Sequence, residues 1–427
     1  MGQSDLQALL LACLSRRLPA GSETELAKLS IEKWRALHEL ACEQRVSSLF
    51  WQRLEMHGLT DLIPESVRLL LQDHYYELTV ENLRLYHELG VVLRHLRAQN
   101  IPVIVLKGAH LGSLVYPNSA LRLMNDVDLL FAQNDIPAVA ALFEKLGYAG
   151  DETLLLERHF ATDHHLPRYS KADSTASFEV HWLITYPDKA YTIAMNELWQ
   201  RAQQGTIAGE PVLTLCPEDL LLHICEHATY HHLLEQGIRF LCDIDALVSR
   251  YTSNLDWAAV QERAKQWGWM KGVYLALTLA QRLLGTPIPV AALDQLQPAH
   301  IDSRLVEQAI QQLFADQSES LTVSNEFAQM WGAQSWRQKV QMIGQQIFAP
   351  EHIVQRYPVR PGTIKLYLYY PVRLKDLLVR YTYTLWRLWR RDPLLSATTQ
   401  SKHQLAAWFE PACAQRQLPS IERTPHG

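Results

Sequence analysis

Residues 101–131 read IPVIVLKGAHLGSLVYPNSALRLMNDVDLLF, and their reading decides the fold. Ile101 to Leu106 is a run of β-branched and apolar residues, the pattern of a buried strand. Lys107 and Gly108 follow. Ala109 to Val115 then reads as a short helix that stops before Tyr116-Pro117, because the residue preceding a proline is pushed out of helical backbone. A second apolar strand carries Asp126 and Asp128, followed by Leu129, Leu130 and Phe131. Side chains alternate across a strand, so two acids two positions apart share a face. Neighbouring carboxylates repel unless something positive sits between them, and a divalent metal ion is the most economical candidate. The stretch is a candidate metal and phosphate site.

Upstream, residues 1–99 read as helices. Leu6, Leu9, Leu10 and Cys13 show helical spacing, as do Trp34, Leu37, Leu40 and Ala41, and Asp5 suits a helix N-cap. After the break at Ile63-Pro64, a long helical run from Ser66 to Leu96 contains Leu69, Leu70, Tyr76, Leu78, Leu83, Tyr86, Leu89, Val92 and Leu93. Its apolar face is expected to pack on the sheet that starts at Ile101.

Downstream, Ile136 to Leu146 is expected as a helix closed by Gly147. The polar run 171–177 reads as a hairpin turn before a strand, FEVHWLIT at 178–185. Alternation puts Glu179 and His181 on one face of that strand and Val180 and Trp182 on the other. Helix resumes at Pro217-Glu218-Asp219 and carries His223, His227 and His231 at intervals of four. Arg239 to Leu247 forms another helix, in which Arg239 and Asp243 are expected to pair. Residues 290–395 are helical, ending in a basic, aromatic stretch at 366–391, and 396–427 read as a flexible tail. The expected architecture is α+β: a helical region 1–99, a small mixed β-sheet core 100–215, a helical domain 216–395 and the tail.

Composition sets the outer limits. A chain of 427 residues with 48% apolar and 20% charged residues has the make-up of an ordinary soluble protein of two or three domains. A net charge of -5 and a pI near 6.4 argue against a broadly basic nucleic-acid binder. The six cysteines form no CxxC pair, so neither a zinc ribbon nor a disulfide framework is indicated. The first residues lack a signal-peptide pattern, and no apolar run reaches the roughly 18 residues of a transmembrane helix, so a cytoplasmic protein is expected.

The acids need a third partner to make a metal cage, and Glu179 on the later strand is the candidate. Two divalent ions about 4 Å apart suit in-line displacement at phosphorus, and Mg2+ prefers such oxygen ligands. The plainer reading is a structural ion pair, for instance with Arg122. At Lys107-Gly108-Ala109 a glycine lets backbone approach a phosphate, although a simple turn glycine looks the same. The stripe His223, His227, His231 can bind zinc or line a substrate pocket, but three histidines on one helix rarely surround a single ion. A packing stripe facing the catalytic region is favoured. His164 and His165 can approach from the loop before the hairpin, and Arg239 can face a phosphate instead of Asp243. The helix 366–391 reads best as a cap on the helical domain; contact with an anionic membrane surface and binding of a nucleic-acid strand are its other two readings.

Leu106-Lys107-Gly108, Tyr116-Pro117, Arg122, Asp126-Val127-Asp128 and FEVHW at 178–182 together resemble the signature of the uncharacterised nucleotidyltransferase family within the polymerase-β-like superfamily. The helix with His223 and His227, the run RFLCDIDAL and the segment LDWAAVQERAKQWG resemble the helical part of the same family. The likeness covers most of 1–290. Two positions depart from the superfamily pattern: Ala109 stands where Ser or Gly is usual, and the gap from Gly108 to Asp126 is long. Gly112-Ser113 fits the spacing but falls inside the expected helix. The resemblance implies transfer of a nucleoside monophosphate from a nucleoside triphosphate, such as ATP, with release of pyrophosphate. It also implies that Asp126, Asp128 and Glu179 hold Mg2+ or Mn2+, and that Lys107, Gly108, Ala109 and Arg122 meet the nucleotide. His165, His181, His223, His227 and Arg239 are candidates for the substrate pocket. The acceptor stays open among sugar, small antibiotic, peptide, protein side chain and RNA end, with long nucleic acid the weaker choice. A catalytically silent relative that binds a nucleotide or partner protein is the rival reading, and phosphoryl or pyrophosphoryl transfer on the same site is a third.

Overall fold

A computed structural model describes residues 2–315 apart from 151–155, 157–158, 161–162, 173, 188–192, 300 and 302, and beyond them chiefly 365–390 and 393–409. The chain divides into two compact units, Met1–Phe314 and Ala315–Gly427. The fold is α+β.

The first unit is built around one mixed sheet. Its strands are β1 (Ile104–Val105), β2 (Val127–Leu130), β3 (Tyr169–Ser170), β4 (Ser177–His181), β5 (Gln203–Ile207) and β6 (Glu210–Thr214), in the spatial order β3-β4-β2-β1-β6-β5. β2 runs parallel to β4 and antiparallel to β1, and β1 runs parallel to β6. The strand expected from Ile101 is short, because Pro102 has no N–H to donate. Pairing begins at Val103, whose carbonyl accepts from the Leu213 N–H. β4 stops at His181, short of the expected Thr185, because the Trp182 and Leu183 N–H groups turn to the His164 carbonyl. The hairpin β5–β6 has no counterpart in the hydrophobic pattern, since Gln203–Ile207 is polar and lies at the sheet edge. Its turn, Ala208-Gly209, takes positive φ at both positions, as the type I′ turn of a two-residue hairpin requires.

The helix Glu65–Ala98 crosses this sheet. Leu85, Leu89, Val92, Leu93 and Leu96 recur at helical spacing and pack with Val105, Val127, Leu129, Phe131 and Val180 in one core. Each such side chain contributes about 1.5–3 kcal/mol through burial. Val67, Leu71 and Leu78 are the buried residues of its first half, so Tyr76 and Leu83, expected on the packing face, are 63% and 58% exposed. The same helix fixes two loops: Asn82 donates to the Ser119 and Arg122 carbonyls, and the Tyr86 hydroxyl donates to the Ala109 carbonyl. The helix Ile136–Lys145 is followed by Gly147 at φ +84°, as its sequence suggests. At the start of the chain, helix Gln3–Leu14 begins before Asp5; the Asp5 carboxylate accepts from the Gly2 N–H rather than serving as N-cap.

In the second unit, Lys365–Trp389 is a helix with Leu366 and Arg373 buried and Tyr367, Leu368 and Val379 exposed. Pro393–Phe409 is also helical. Residues 396–409 were expected to fray, but Pro393 starts the helix and Leu405, Ala406 and Phe409 bury on one side of it. The remainder of that tail, 410–427, lies outside the described residues, as does much of 290–395. Among the described residues, no helix is long and apolar enough to cross a membrane.

Candidate active site

The pairing of β2 with β4 sets Asp128 directly beside Glu179. Asp126 lies one residue ahead of β2. The three expected acids therefore meet at one corner of the sheet, and each has a partner. Lys107 Nζ lies 2.9 Å from Asp128 Oδ1, and His181 Nε2 lies 3.0 Å from the same oxygen and 3.5 Å from Glu179 Oε2. Arg168 Nη2 bridges Asp126 Oδ2 at 2.6 Å and Glu179 Oε1 at 3.2 Å. Since ionised carboxylates only accept, the His181 Nε2–H donates to Asp128.

Arg168 was not singled out from the sequence. The signal was present: the hairpin register pairs Tyr169 with Phe178, so its extension sets Arg168 against Glu179.

Electrostatics follow from these partners. Burial would raise the Asp128 carboxyl, but Lys107 and His181 outweigh it and hold it well below the usual range. Glu179 is also lowered, its burial offset by His181. Asp126 moves the other way, raised by burial and then by the charges of Asp128 and Glu179. For Lys107, burial favours the neutral amine, but Asp128 reverses that and keeps it charged. Lys107 also sits at φ +39°, a left-handed backbone that costs a lysine about 1–3 kcal/mol. The turn holds its ammonium on Asp128 in spite of that cost.

In the rest of the Lys107-Gly108-Ala109 turn, Gly108 lines the cavity over the acids while Ala109 turns away from it. A Cβ on Gly108 would come within 3.2 Å of Met124 Cγ and 3.3 Å of Arg122 Nη1, so the glycine makes room for the 122–124 loop. Ala109 is buried in the core. Gly112 lies in the wide turn Leu111–Val115, where a Cβ would meet the Tyr86 hydroxyl at 2.7 Å. Arg122 grips Asp243 with Nε at 2.9 Å and Nη2 at 3.0 Å, and Tyr116 donates to the same carboxylate. The expected Arg239–Asp243 helix pair gives way to this fork, because a planar guanidinium binds a carboxylate through two parallel bonds. Arg122 is thus a bolt between the sheet loop and helix Arg239–Arg250. Arg239 Nη1 instead donates to the Leu123 carbonyl, and burial pushes the guanidinium down to about 9.

A cavity opens over the acids. Lys107, Asp126, Asp128, Glu179 and Arg168 line it on one side, and Arg45, Arg239 and several histidines line it on another. Helix Pro217–Glu226 continues into a wider turn, His227–His231. Along it the rings of His223, His227 and His231 remain successive neighbours, at 6.5 and 5.3 Å. His227 and His231 reach the cavity together with His232, and His227 Nε2 lies 3.2 Å from His232 Nε2. His223 is fully buried, and its Nδ1 has no hydrogen bond. His164 and His165 join from the loop before β3: the His164 ring meets those of His181 and His231 at 5.3 Å, and the His165 ring meets His181 at 4.8 Å. Burial is the first cause that pushes His231 down to about 3, His232 to about 4, and His223 and His227 well below their usual value. The histidine wall is neutral at pH 7. Arg45, His232 and Gln236 also line the cavity, and no sequence pattern pointed to them.

The family profile described as "uncharacterised nucleotidyltransferase" matches residues 30–285, which contain every residue of this cavity. The chain belongs to the uncharacterised nucleotidyltransferase family. Nucleotidyl transfer is thus supported as its general chemistry. No curated protein matches the chain. Among solved structures, the antibiotic-resistance factor ANT(2'')-Ia aligns at 16% identity over 47% of this chain and 98% of its own, with a TM-score of 0.31. A likeness of that size transfers neither substrate nor mechanism.

The donor set fits a divalent cation. Ligand atoms of Asp128, Glu179 and His181 lie within 4.8 Å of one another, and carboxylate oxygens are the ligands hard divalent ions take.

Proposed function

We propose that the chain transfers a nucleoside monophosphate from a nucleoside triphosphate to a hydroxyl-type acceptor and releases pyrophosphate. The single observation behind this reading is the meeting of Asp126, Asp128 and Glu179 on paired strands, with Lys107 on the same corner, in a chain of this family. The three acids would hold Mg2+ or Mn2+, which when bound neutralises phosphate charge and polarises the α-phosphate.

The acceptor oxygen forms a bond to the α-phosphorus as the bond to the bridging oxygen of pyrophosphate breaks; the acceptor proton leaves to a carboxylate or to water. Glu179, whose carboxyl is held below its usual range, accepts a hydrogen bond from the attacking hydroxyl in this reading and orients it. Asp126, raised by its neighbours, is the better proton acceptor of the three. Lys107 and Arg168 supply positive charge where the phosphates gather, and Arg239 with the neutral histidines forms the opposite wall against which base, sugar or acceptor rests. Arg122 serves by fixing the loop that leads into Asp126.

Incubation with labelled nucleoside triphosphates, Mg2+ or Mn2+ and candidate acceptors is expected to release pyrophosphate and mass-shift the acceptor by one nucleoside monophosphate. Equal release from the Asp126→Asn variant would remove this reading. One observation favours a second reading, a nucleotide binder without turnover: Lys107 and Arg168 already balance the acids. Nucleotide binding that is indifferent to Mg2+, with no pyrophosphate released, would select it.

A further inference from the structure

Among the described residues, one group of side chains outside the cavity has the make-up of a metal site. His38 and Cys42 lie four residues apart on helix Ile31–Glu43 and so share a face, one turn apart. His74 comes from a second helix, Glu65–Ala98. Cys42 Sγ lies 3.3 Å from His74 Nδ1 and 3.6 Å from His38 Nε2. The rings of His38 and His74 meet edge to face at 5.5 Å, and one ligand atom from each of the three residues falls within 4.8 Å of the other two.

These distances can be compared with what zinc demands. With Zn–S near 2.3 Å and Zn–N near 2.0–2.1 Å, a tetrahedral ion separates its sulfur and nitrogen ligands by about 3.6 Å. The observed 3.3 and 3.6 Å bracket that edge from below and at its value. Drawing the ligands from two helices also removes the obstacle of a single-helix stripe, where side chains diverge. His227, His231 and His232 are less suited: the rings of His231 and His232 stack nearly parallel at 4.6 Å, which points their nitrogens side by side rather than at one centre.

We infer that His38, Cys42 and His74 bind one thiophilic divalent cation of the zinc class, with a fourth position left to water. Cys42 and His74 are half-buried, so the position is reachable from solvent. Binding forms a metal–sulfur bond and releases the Cys42 thiol proton to water. The ion joins helix Ile31–Glu43 to the helix that supports the sheet and, through Asn82 and Tyr86, the loops of the cavity. Its place is separate from the acid cluster and does not depend on the function proposed for it.

The test uses the full chain, stripped of metal by chelation and titrated with Co2+. One equivalent is expected to produce thiolate-to-cobalt charge-transfer absorption, which Zn2+ abolishes by displacement and Mg2+ leaves alone. The absorption is expected to vanish in Cys42→Ser, weaken at least tenfold in apparent affinity in His74→Ala, and persist in Cys413→Ser. Absence of the band in the unaltered chain, or its survival in Cys42→Ser, overturns the inference. Circular dichroism checks that the variants fold; if Cys42→Ser does not, the band of the unaltered chain and its response to His74→Ala decide.

Discussion

The two walls of the cavity hold titratable groups in opposite ways. On the acid wall, Asp128, Glu179 and Lys107 stay charged in spite of burial because each has an opposite charge or a strong donor within hydrogen-bond reach. On the histidine wall, His227, His231 and His232 stay neutral because burial meets no carboxylate close enough to offset it, and the nearby Lys107 adds repulsion. Burial penalises charge on both walls; pairing decides which groups escape the penalty. A metal therefore has its electrostatic foothold on the acid wall, while on the other wall Arg45 and Arg239 carry the positive charge and the histidines can donate or accept hydrogen bonds without changing theirs.

The sharpest way to break this contrast is to remove one member of the buried pair. Asp128→Asn leaves Lys107 charged without its closest partner, and loss of one partner of a buried pair costs about 3–5 kcal/mol. Urea unfolding is expected to show that loss, and the double variant Lys107→Met with Asp128→Asn is expected to recover part of it. A fully additive double variant would mean that the pair carries no special coupling.

Next comes Glu226, on helix Pro217–Glu226 just ahead of the histidine turn, where burial raises the carboxyl to about 7 although it accepts from Thr185 at 2.6 Å. Its pKa in the fold lies above its unfolded value, so its contribution to stability is complete below the unfolded value and is lost as pH rises through about 7. Stability is expected to fall between pH 5 and 8 by on the order of 2–3 kcal/mol from this group. Glu226→Gln is expected to flatten that slope in thermal melts, and an unchanged slope would assign it elsewhere.

A smaller effect is expected at Arg168. This side chain is 48% exposed, so Arg168→Ala is expected to change stability by less than about 1 kcal/mol. Its Nη2 competes with any cation for Asp126 and Glu179, so Mn2+ affinity is expected to rise several-fold in calorimetry. The smallest effect is on the histidine wall: none of His227, His231 and His232 is expected to titrate between pH 6 and 8 in NMR of the ring carbons. A midpoint in that window would place a charge on this wall after all.

How much of this was legible in the sequence depends on the range of the interaction. Asp126, Asp128 and Glu179 could be read because the strand period puts i and i+2 on one face and a single polar turn announces β4. The helix over the sheet was readable from its spacing, but not where its buried face changed register, so Tyr76 and Leu83 were misplaced. Arg122 was read as a partner for the nearby acids or for phosphate, and Arg239 as a partner of Asp243 four residues on. The structure instead joins Arg122 to Asp243, 121 residues away, a contact no local pattern encodes. The histidine stripe was legible as spacing, since the rings of His223, His227 and His231 stay neighbours at 6.5 and 5.3 Å. What it did not encode is that the turn widening at His227 brings His232 to the cavity while His223 stays behind it. The hairpin β5–β6 stayed invisible because its outer strand is polar, and an edge strand needs no hydrophobic alternation.

The central claim is that the acid corner, and not the cavity as a whole, makes nucleotide binding depend on a divalent cation. Calorimetric titration of a nucleoside triphosphate into the full chain, with Mg2+ and with chelator, for the unaltered protein and for Glu179→Gln, tests it directly. Binding is expected to require Mg2+ and to be lost in the variant. Equal affinity with and without Mg2+, or in the presence of the substitution, would contradict it.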